Sequence, residues 1–167
     1  PNTELTALRQ SIHNLTGLHY LAWLGYRLNY GQDEQFISRL NMSKVWANVI
    51  RDISYVRKVI ADRKTIHSPV SIYRELKDRA LEAVEVATAL QPKDSYENKM
   101  MERYLNEWRN QRPILTSHHL IQLGVPKGPE LGKVRQALVE SHLEKGKVTV
   151  KDEEAIVSEA LENLKQK

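Results

Sequence analysis

The chain has 167 residues, a formal net charge of +4, 41% hydrophobic residues, 7 Gly, 6 Pro and no Cys. This length can bury one compact core or two small lobes, and the sparse Gly and Pro exclude fibrous and low-complexity classes. The absence of Cys excludes disulfides, thiolate metal sites and cysteine nucleophiles. Because the sequence contains no long apolar run and no basic-then-apolar leader, we expect a cytoplasmic protein without a membrane span.

Positive charge is concentrated in two zones of the chain. Residues 38–64 hold seven Lys or Arg against two Asp or Glu, and residues 112–147 hold six against three. The other segments are slightly acidic. Two basic zones separated in this way are typical of a surface that binds a polyanion, although an ordinary solvated surface gives the same pattern.

Helical periodicity dominates the N-terminal part of the chain. Apolar residues recur every three or four positions over residues 3–15 and 18–30, and Leu21, Leu24 and Leu28 form one apolar stripe. This spacing predicts two amphipathic helices in succession.

A short helix beginning near Asp33 and carrying Leu40 is predicted next, followed by a long helix that Ser43 caps and that runs to about residue 64. On the long helix, five apolar residues recur about 100° per residue around the axis, so they share one face. They are predicted to be buried: Trp46, Val49, Ile53, Val56 and Ile60.

Three cations on the long helix form the first candidate site. Lys44, Arg51 and Lys58 are spaced seven residues apart, and this spacing drifts only about 20° per step around a helix. They therefore share the face opposite the apolar one, roughly 10 Å apart, which suits the phosphates of a duplex backbone. A solubilising outer face is the alternative. Other cations extend this stripe at its ends: Arg39, Arg63 and Lys64.

Several further helices are predicted between residues 68 and 112. Ser68-Pro69 is a helix-start signal, and residues 80–90 form an apolar, buried helix. Residues 95–111 form an amphipathic helix that Pro113 ends. The side chains predicted to point inward are Met101, Tyr104, Leu105 and Trp108.

The joint after this helix divides the chain into a helical body over residues 1–112 and a tail lobe over residues 113–167. In the tail, helices are predicted over residues 116–123, 128–145 and 149–164, and Thr149 with Asp152 resembles a capping box. No segment alternates with period two long enough to form a strand. The predicted fold is an all-α bundle of roughly eight to nine helices with a small C-terminal helical lobe.

The turn before the second tail helix is the second candidate site. Gly124 ends one helix and the next begins after Gly128, so free amides are expected there with Lys127 and Lys133 nearby. Such an arrangement can hold a phosphate. In the alternative, Gly124 and Gly132 only permit close packing at a helix–turn–helix corner.

We find no catalytic motif in the sequence. It has no HExxH spacing and no Asp-x-Asp pair for two magnesium ions, and residues 128–133 lack the Walker spacing. The adjacent His118 and His119 would leave a helix about 100° apart, which disfavours binding one ion. We therefore expect no catalytic and no metal-binding residue in this chain.

The segment from Glu102 to Thr116 contains Tyr-Leu-x-x-Trp, then Arg-Pro, then Leu-Thr. This order resembles a signature of bacterial tRNA nucleotidyltransferases of the second structural class, the CCA-adding and poly(A) polymerase-like enzymes. Ser117 and His119 depart from the Gly and Asp of the family's Leu-Thr-Gly-x-Asp-Leu turn. The family's Leu-Gly-x-x-x-Gly-Pro-x-x-Gly motif is matched at Leu123, Gly124, Gly128, Pro129 and Gly132.

The resemblance covers about residues 68–160 and implies that the chain corresponds to the helical body and tail, which grip folded tRNA. A catalytic head would precede it and would bind magnesium and CTP or ATP, so no cofactor is expected in this chain. The expected partners are tRNA and the head domain of the same parent chain. The residues of the RNA-binding hypothesis are Arg39, Lys44, Arg51, Lys58, Arg112, Lys127, Gly128, Lys133 and Arg135.

Two other functions fit an all-α chain of this kind. One is a helical protein–protein interaction module, in which the basic helix face is idle. The other is a helix–turn–helix DNA-binding domain over residues 116–145, in which Lys133, Arg135 and Gln136 would reach the bases.

Overall fold

The computed structural model describes residues 2–29, 31–62 and 66–165. These residues form ten α-helices and one π-helical turn and contain no strand, which confirms the predicted all-α fold. The chain divides into two compact units, residues 1–109 (unit 1) and residues 110–167 (unit 2). The joint expected from the sequence lies after residue 112.

The described part of unit 1 contains seven α-helices, and the π-helical turn continues the last of them. They are α1 (Asn2–Ser11), α2 (Gly17–Tyr26), α3 (Asp33–Arg39), α4 (Lys44–Ala61), α5 (Pro69–Leu76), α6 (Leu81–Ala89) and α7 (Tyr96–Arg103), with the π-turn at Tyr104–Trp108.

The long helix α4 lies at the centre of unit 1, packed mainly against α2 and α6. It crosses α2 at Gly25, where a Cβ atom would lie 2.8 Å from both Ile50 Cδ1 and Ile53 Cγ2. Such contacts are shorter than van der Waals packing allows, so the two helices can approach this closely only because this residue has no side chain.

The burial prediction for α4 is correct for four residues and wrong for Trp46. Val49, Ile53, Val56 and Ile60 are buried, whereas Trp46 is 54% exposed. Trp46 lies on the apolar face but in the first turn of α4, and the buried residues of the helix begin only at Ala47. The face therefore extends beyond the helices that cover it.

The structure also differs from the sequence prediction at two leucines, at one helix cap and at two helix ends. Leu24 and Leu40 are 42% and 57% exposed, so neither belongs to the core. Ser43 occupies the N-cap position of α4, but its side chain makes no capping hydrogen bond. The first helix ends at Ser11 rather than residue 15, and α4 ends at Ala61. Arg63 and Lys64 lie outside the described residues.

Unit 2 contains three helices, α8 (Ser117–Gln122), α9 (Pro129–Lys145) and α10 (Val150–Lys165). Thr116 caps α8, with its Oγ accepting the His119 N–H. The helices pack around a small apolar cluster. Its buried members are Leu115, Leu120, Val125, Val134, Leu138 and Val157.

The capping box predicted at Thr149 and Asp152 is confirmed. The Thr149 N–H donates to Asp152 Oδ2 at 2.8 Å, and the Asp152 N–H donates to Thr149 Oγ1 at 3.3 Å. Hydrogen bonds from the Thr149 hydroxyl and amide lower the pKa of Asp152, because they stabilise the ionised carboxylate.

A buried carboxylate also holds unit 2 together. The Glu153 side chain is 0% exposed, and its two oxygens accept hydrogen bonds from the Ile114 and Leu115 N–H groups at 2.8 and 2.7 Å. His142 Nε2 lies 2.6 Å from Glu153 Oε1. Glu153 therefore joins α10 to α9 and to the segment before α8. Over the described residues, no helix is both long enough and apolar enough to cross a bilayer.

Candidate nucleic-acid interface

The outer face of α4 carries the first group of predicted contact residues. Lys44, Arg51 and Lys58 are all exposed, while the opposite face of the helix is buried against unit 1. The seven-residue spacing thus brings the three cations to one solvated face of a rigid helix. Arg39, the last residue of α3, is also exposed.

Arg51 is engaged by a carboxylate from α3. Its Nε and Nη2 donate to Glu34 Oε1 and Oε2 at 2.6 and 2.9 Å, a bidentate ion pair. This hydrogen bonding raises the pKa of Arg51 and lowers that of Glu34, since each charge stabilises the other. Arg51 must therefore exchange Glu34 for a phosphate before it can bind an RNA backbone.

Arg39 and Lys44 are in a different situation. Within residues 2–29, 31–62 and 66–165, no Asp or Glu lies within ion-pair distance of either side chain. A phosphate could bind these two cations without displacing a protein carboxylate. The two predicted site residues that are best placed for such a contact are therefore the last residue of α3 and the first residue of α4.

The N-terminus of α9 forms the second group. Gly128 is its N-cap residue, with φ +111° and ψ −145°, a conformation that essentially only glycine adopts. The N-cap makes no side-chain hydrogen bond, Pro129 follows, and Lys127 and Gly128 are exposed. The first-turn amides are therefore open to an external acceptor.

Two further cations belong to this region of α9. Lys133 Nζ lies 3.0 Å from Glu130 Oε1, within the same helix, so an ion pair already engages it. Arg135 is exposed, and no hydrogen-bond or ion-pair partner for it is found over the described residues. Of the predicted tail cations, Lys127 and Arg135 are the more available for a phosphate.

Close packing explains neither Gly124 nor Gly132, the two glycines of this helix–turn–helix corner. Gly124 has φ +100°, and a Cβ there would lie 3.9 Å from Leu161 Cδ1, so its backbone conformation is the constraint. A Cβ at Gly132 would meet nothing within 4 Å. Glycine in a helix costs about 1 kcal/mol relative to alanine, and packing within unit 2 gives no reason for that cost.

The remaining candidates are Arg112, at the predicted joint, and the residues of α9 that a DNA-binding helix–turn–helix would use. Arg112 is exposed, and its Nη1 donates to the Gln111 carbonyl at 3.0 Å. Gln136 Nε2 donates to Glu140 Oε1 at 2.8 Å, so an intrahelical bond occupies the amide that would read a base. The connection between α8 and α9 covers residues 123–128, longer than the 3–4-residue turn usual in DNA-binding helix–turn–helix motifs.

The turn at Thr116 keeps its capping geometry despite the two departures from the family pattern. His119 Nδ1 lies 3.2 Å from Thr116 Oγ1, and the His119 N–H donates to the same oxygen at 3.3 Å. The rings of His118 and His119 have centroids 6.4 Å apart. Among the described residues, no group of three His, Cys, Asp or Glu side chains could hold a metal ion.

Sequence reasoning missed two surface features of unit 1. One is the exposed apolar surface at Trp46, which helical periodicity assigned to the core. The other is an open cleft of about 800 Å³ along α6 and α7, lined by Glu85, Asn98 and Arg109 among others. Asn98 is 7% exposed and donates from Nδ2 to the Thr88 carbonyl at 3.2 Å. No motif marks either feature.

Comparison with protein-family models, curated proteins and solved structures finds no match to this chain. The family resemblance of the signature residues therefore stays a prediction, and the function proposed below is inferred from the chemistry of the exposed surfaces.

Proposed function

We propose that this chain is a non-catalytic, cytoplasmic tRNA-binding region of a tRNA nucleotidyltransferase of the CCA-adding or poly(A) polymerase type. In this proposal the helices grip the sugar-phosphate backbone, while a separate head domain of the parent chain adds nucleotides. Magnesium and CTP or ATP would bind that head.

The observation that carries the proposal is the outer face of α4. Three exposed cations lie along it at helical-face spacing, and the buried face of the same helix positions them rigidly. A folded RNA duplex is recognised mainly by its shape and backbone, because its major groove is too deep and narrow to read. A basic helix face without base-reading side chains suits that mode of binding.

The N-terminus of α9 supports the proposal as a second contact. Its first-turn amides have no side-chain acceptor, and Lys127 adds a full positive charge beside them. Backbone amides and a neighbouring cation together stabilise a phosphate oxygen. The DNA-binding alternative receives less support, because Glu140 already engages Gln136 and the inter-helix connection is long.

Salt-dependent binding tests the proposal. Gel-shift titrations with tRNA at two salt concentrations should show steep weakening, because each phosphate contact releases a condensed counterion. Lys44→Ala and Lys127→Ala should each flatten the log–log slope by roughly one unit or slightly less. The loss should be similar for different tRNAs, since phosphate contacts carry no base information.

Glu34→Gln sharpens the test because it releases Arg51 from its bidentate partner. Binding should tighten more than with Glu154→Gln, which changes the net charge equally at an exposed position of unit 2.

The proposal is wrong if the triple Ala variant at Lys44, Arg51 and Lys58 and the Lys127→Ala variant both bind tRNA like wild type. Equal affinity for random duplex DNA would reduce the function to general polyanion binding. Nucleotide incorporation by the purified chain would contradict the non-catalytic assignment.

A further inference from the structure

Apolar side chains are unusually exposed where α3 passes into α4, residues 39–46, here called the α3–α4 corner. Leu40, Val45 and Trp46 are 57%, 61% and 54% exposed. They are the three most exposed large hydrophobic residues of the described chain, and all lie within this one segment. Single exposed apolar residues are normal in globular proteins, whereas several in one short segment point to an interaction surface.

These three side chains lie outside the apolar cluster around Ile37. Beneath the corner, Ile37, Ala47 and Ile50 are buried, and Leu21, Leu28, Phe36 and Met42 pack against them. Leu40, Val45 and Trp46 are not among the members of this cluster. Exposed apolar surface lowers solubility, and the exposed Trp46 ring contributes little to folding. Binding of a partner that covers this ring would explain why a large aromatic residue lies here.

The charge of the same segment defines the chemistry of that partner. From Gln35 to Arg51 the sequence has three cations and no Asp or Glu. Glu34 neutralises Arg51, whereas Arg39 and Lys44 have no acidic partner among the described residues. The partner should therefore be anionic and should also offer a flat apolar face. An unpaired nucleotide has both properties, because its base is a π-system attached to a phosphate backbone.

We propose that Trp46 stacks on an unpaired base of the bound RNA while Arg39 and Lys44 bind the phosphates beside it. This inference rests on the proposed RNA-binding function and adds a preference for single-stranded or looped segments. Lys44 and Trp46 lie in the first turn of α4 but leave the helix about 200° apart, so they cannot contact the same nucleotide. In this proposal Lys44 binds the phosphate of a neighbouring nucleotide in the same RNA segment. Stacking tolerates any base, since every base has a π-face.

Tryptophan fluorescence gives a direct test. The chain has three Trp residues, and Trp46 is the one in the exposed class; Trp108 is 6% exposed, and Trp23 donates from Nε1 to Glu4 at 3.0 Å. A short oligoadenylate should quench wild-type fluorescence. The quenching should persist in Trp23→Phe and disappear in Trp46→Phe, while a blunt RNA duplex should quench much less.

Affinity measurements complete the test. Trp46→Ala should weaken oligoadenylate binding about tenfold, as loss of one base–aromatic stack does, and should weaken duplex binding little. Trp46→Phe should keep most of the affinity, because phenylalanine still stacks. Val45→Ala is the matched control, since it removes a neighbouring exposed apolar side chain without removing a ring, and it should bind like wild type.

The outcomes separate this inference from the function beneath it. If tRNA binds with the expected salt slope but Trp46→Ala changes neither quenching nor affinity, base stacking is wrong and backbone binding stands. If no RNA binds at all, both proposals fail. If wild type sediments as a dimer and Trp46→Ala as a monomer, the corner is a self-association surface, and the inference is overturned.

Discussion

The two units stabilise their centres by different means. In unit 1 the fully buried side chains are mostly aliphatic, among them Leu8, Ile50, Ile53 and Ile72, each at 0% exposure. In unit 2 the fully buried set includes an ionisable group, Glu153, bonded to two backbone amides and close to His142.

Size explains this difference. A lobe of three helices buries less apolar surface per residue than a larger bundle does. Directional bonds from one carboxylate can still hold the chain before α8 against α9 and α10, where a small apolar cluster alone specifies position weakly. Unit 1 is therefore held mainly by apolar packing, whereas unit 2 combines a small apolar cluster with hydrogen bonds to a fully buried carboxylate.

Truncating a core aromatic residue of unit 1 should have the largest effect. Trp108 is 6% exposed, and the Arg103 guanidinium carbon lies 4.8 Å from its ring centroid. We expect Trp108→Ala to lower the free energy of unfolding by about 3–5 kcal/mol, because it leaves a large cavity. Chemical denaturation measures this loss. The control is Trp46→Ala, which removes an exposed ring and should change stability by less than about 0.5 kcal/mol. If Trp108→Ala lowered the free energy of unfolding by less than about 1 kcal/mol, apolar packing around Trp108 would contribute little to the stability of unit 1.

Replacing one carboxylate oxygen in unit 2 should have the next largest effect. Glu153→Gln introduces an NH₂ group where two backbone amides require an acceptor. We expect a loss of about 2–3 kcal/mol, because a buried donor then lacks its charged partner. Amide hydrogen exchange at Ile114 and Leu115 should accelerate, which locates the damage. Glu154→Gln at the exposed neighbour should leave stability within about 0.5 kcal/mol of wild type. Unchanged exchange at these two amides would disprove the organising role of Glu153.

The smallest effect on stability at neutral pH is expected for the buried hydroxyl of Tyr104 in unit 1. The Tyr104 side chain is 0% exposed, and its hydroxyl has no partner that meets hydrogen-bond geometry among the described residues, although the Arg109 guanidinium lies near enough to interact with it. Burial raises the pKa of Tyr104 to about 12, and the Arg109 charge offsets this rise only in part. At neutral pH, Tyr104→Phe should be neutral or stabilising by up to about 1 kcal/mol, since it removes an unsatisfied polar atom.

The same residue gives unit 1 a defined alkaline sensitivity. In the unfolded chain tyrosine loses its proton near pH 10, whereas folded Tyr104 keeps it to about pH 12. Between these values the folded state binds more protons, so the Tyr104 contribution to stability falls by about 1.4 kcal/mol per pH unit as pH rises. Denaturation curves from pH 9.5 to 11.5 should show a shallower decline for Tyr104→Phe than for wild type. Parallel curves would contradict the buried state of this hydroxyl.

Most helices, and the starts of several of them, could be predicted because the interactions that form them are local. Ser68 Oγ accepts from the Ser71 N–H, Ser95 Oγ from the Asn98 N–H, and Thr149 exchanges bonds with Asp152. Each pair is three residues apart, so neighbouring letters of the sequence contain the whole interaction. The same holds for the exposed face of α4, which follows from spacing around a single helix.

Tertiary structure alone decided which of these residues are available and which are buried. Arg51 meets Glu34 across two helices, and Glu153 meets amides 38 and 39 positions earlier in the chain. The exposure of Trp46 depends on where the covering helices stop relative to the first turn of α4. Helical periodicity assigns a side chain to a face of its own helix. How far another helix covers that face depends on packing between distant segments, so the sequence determined the cationic face of α4, and the fold determined the apolar corner beside it.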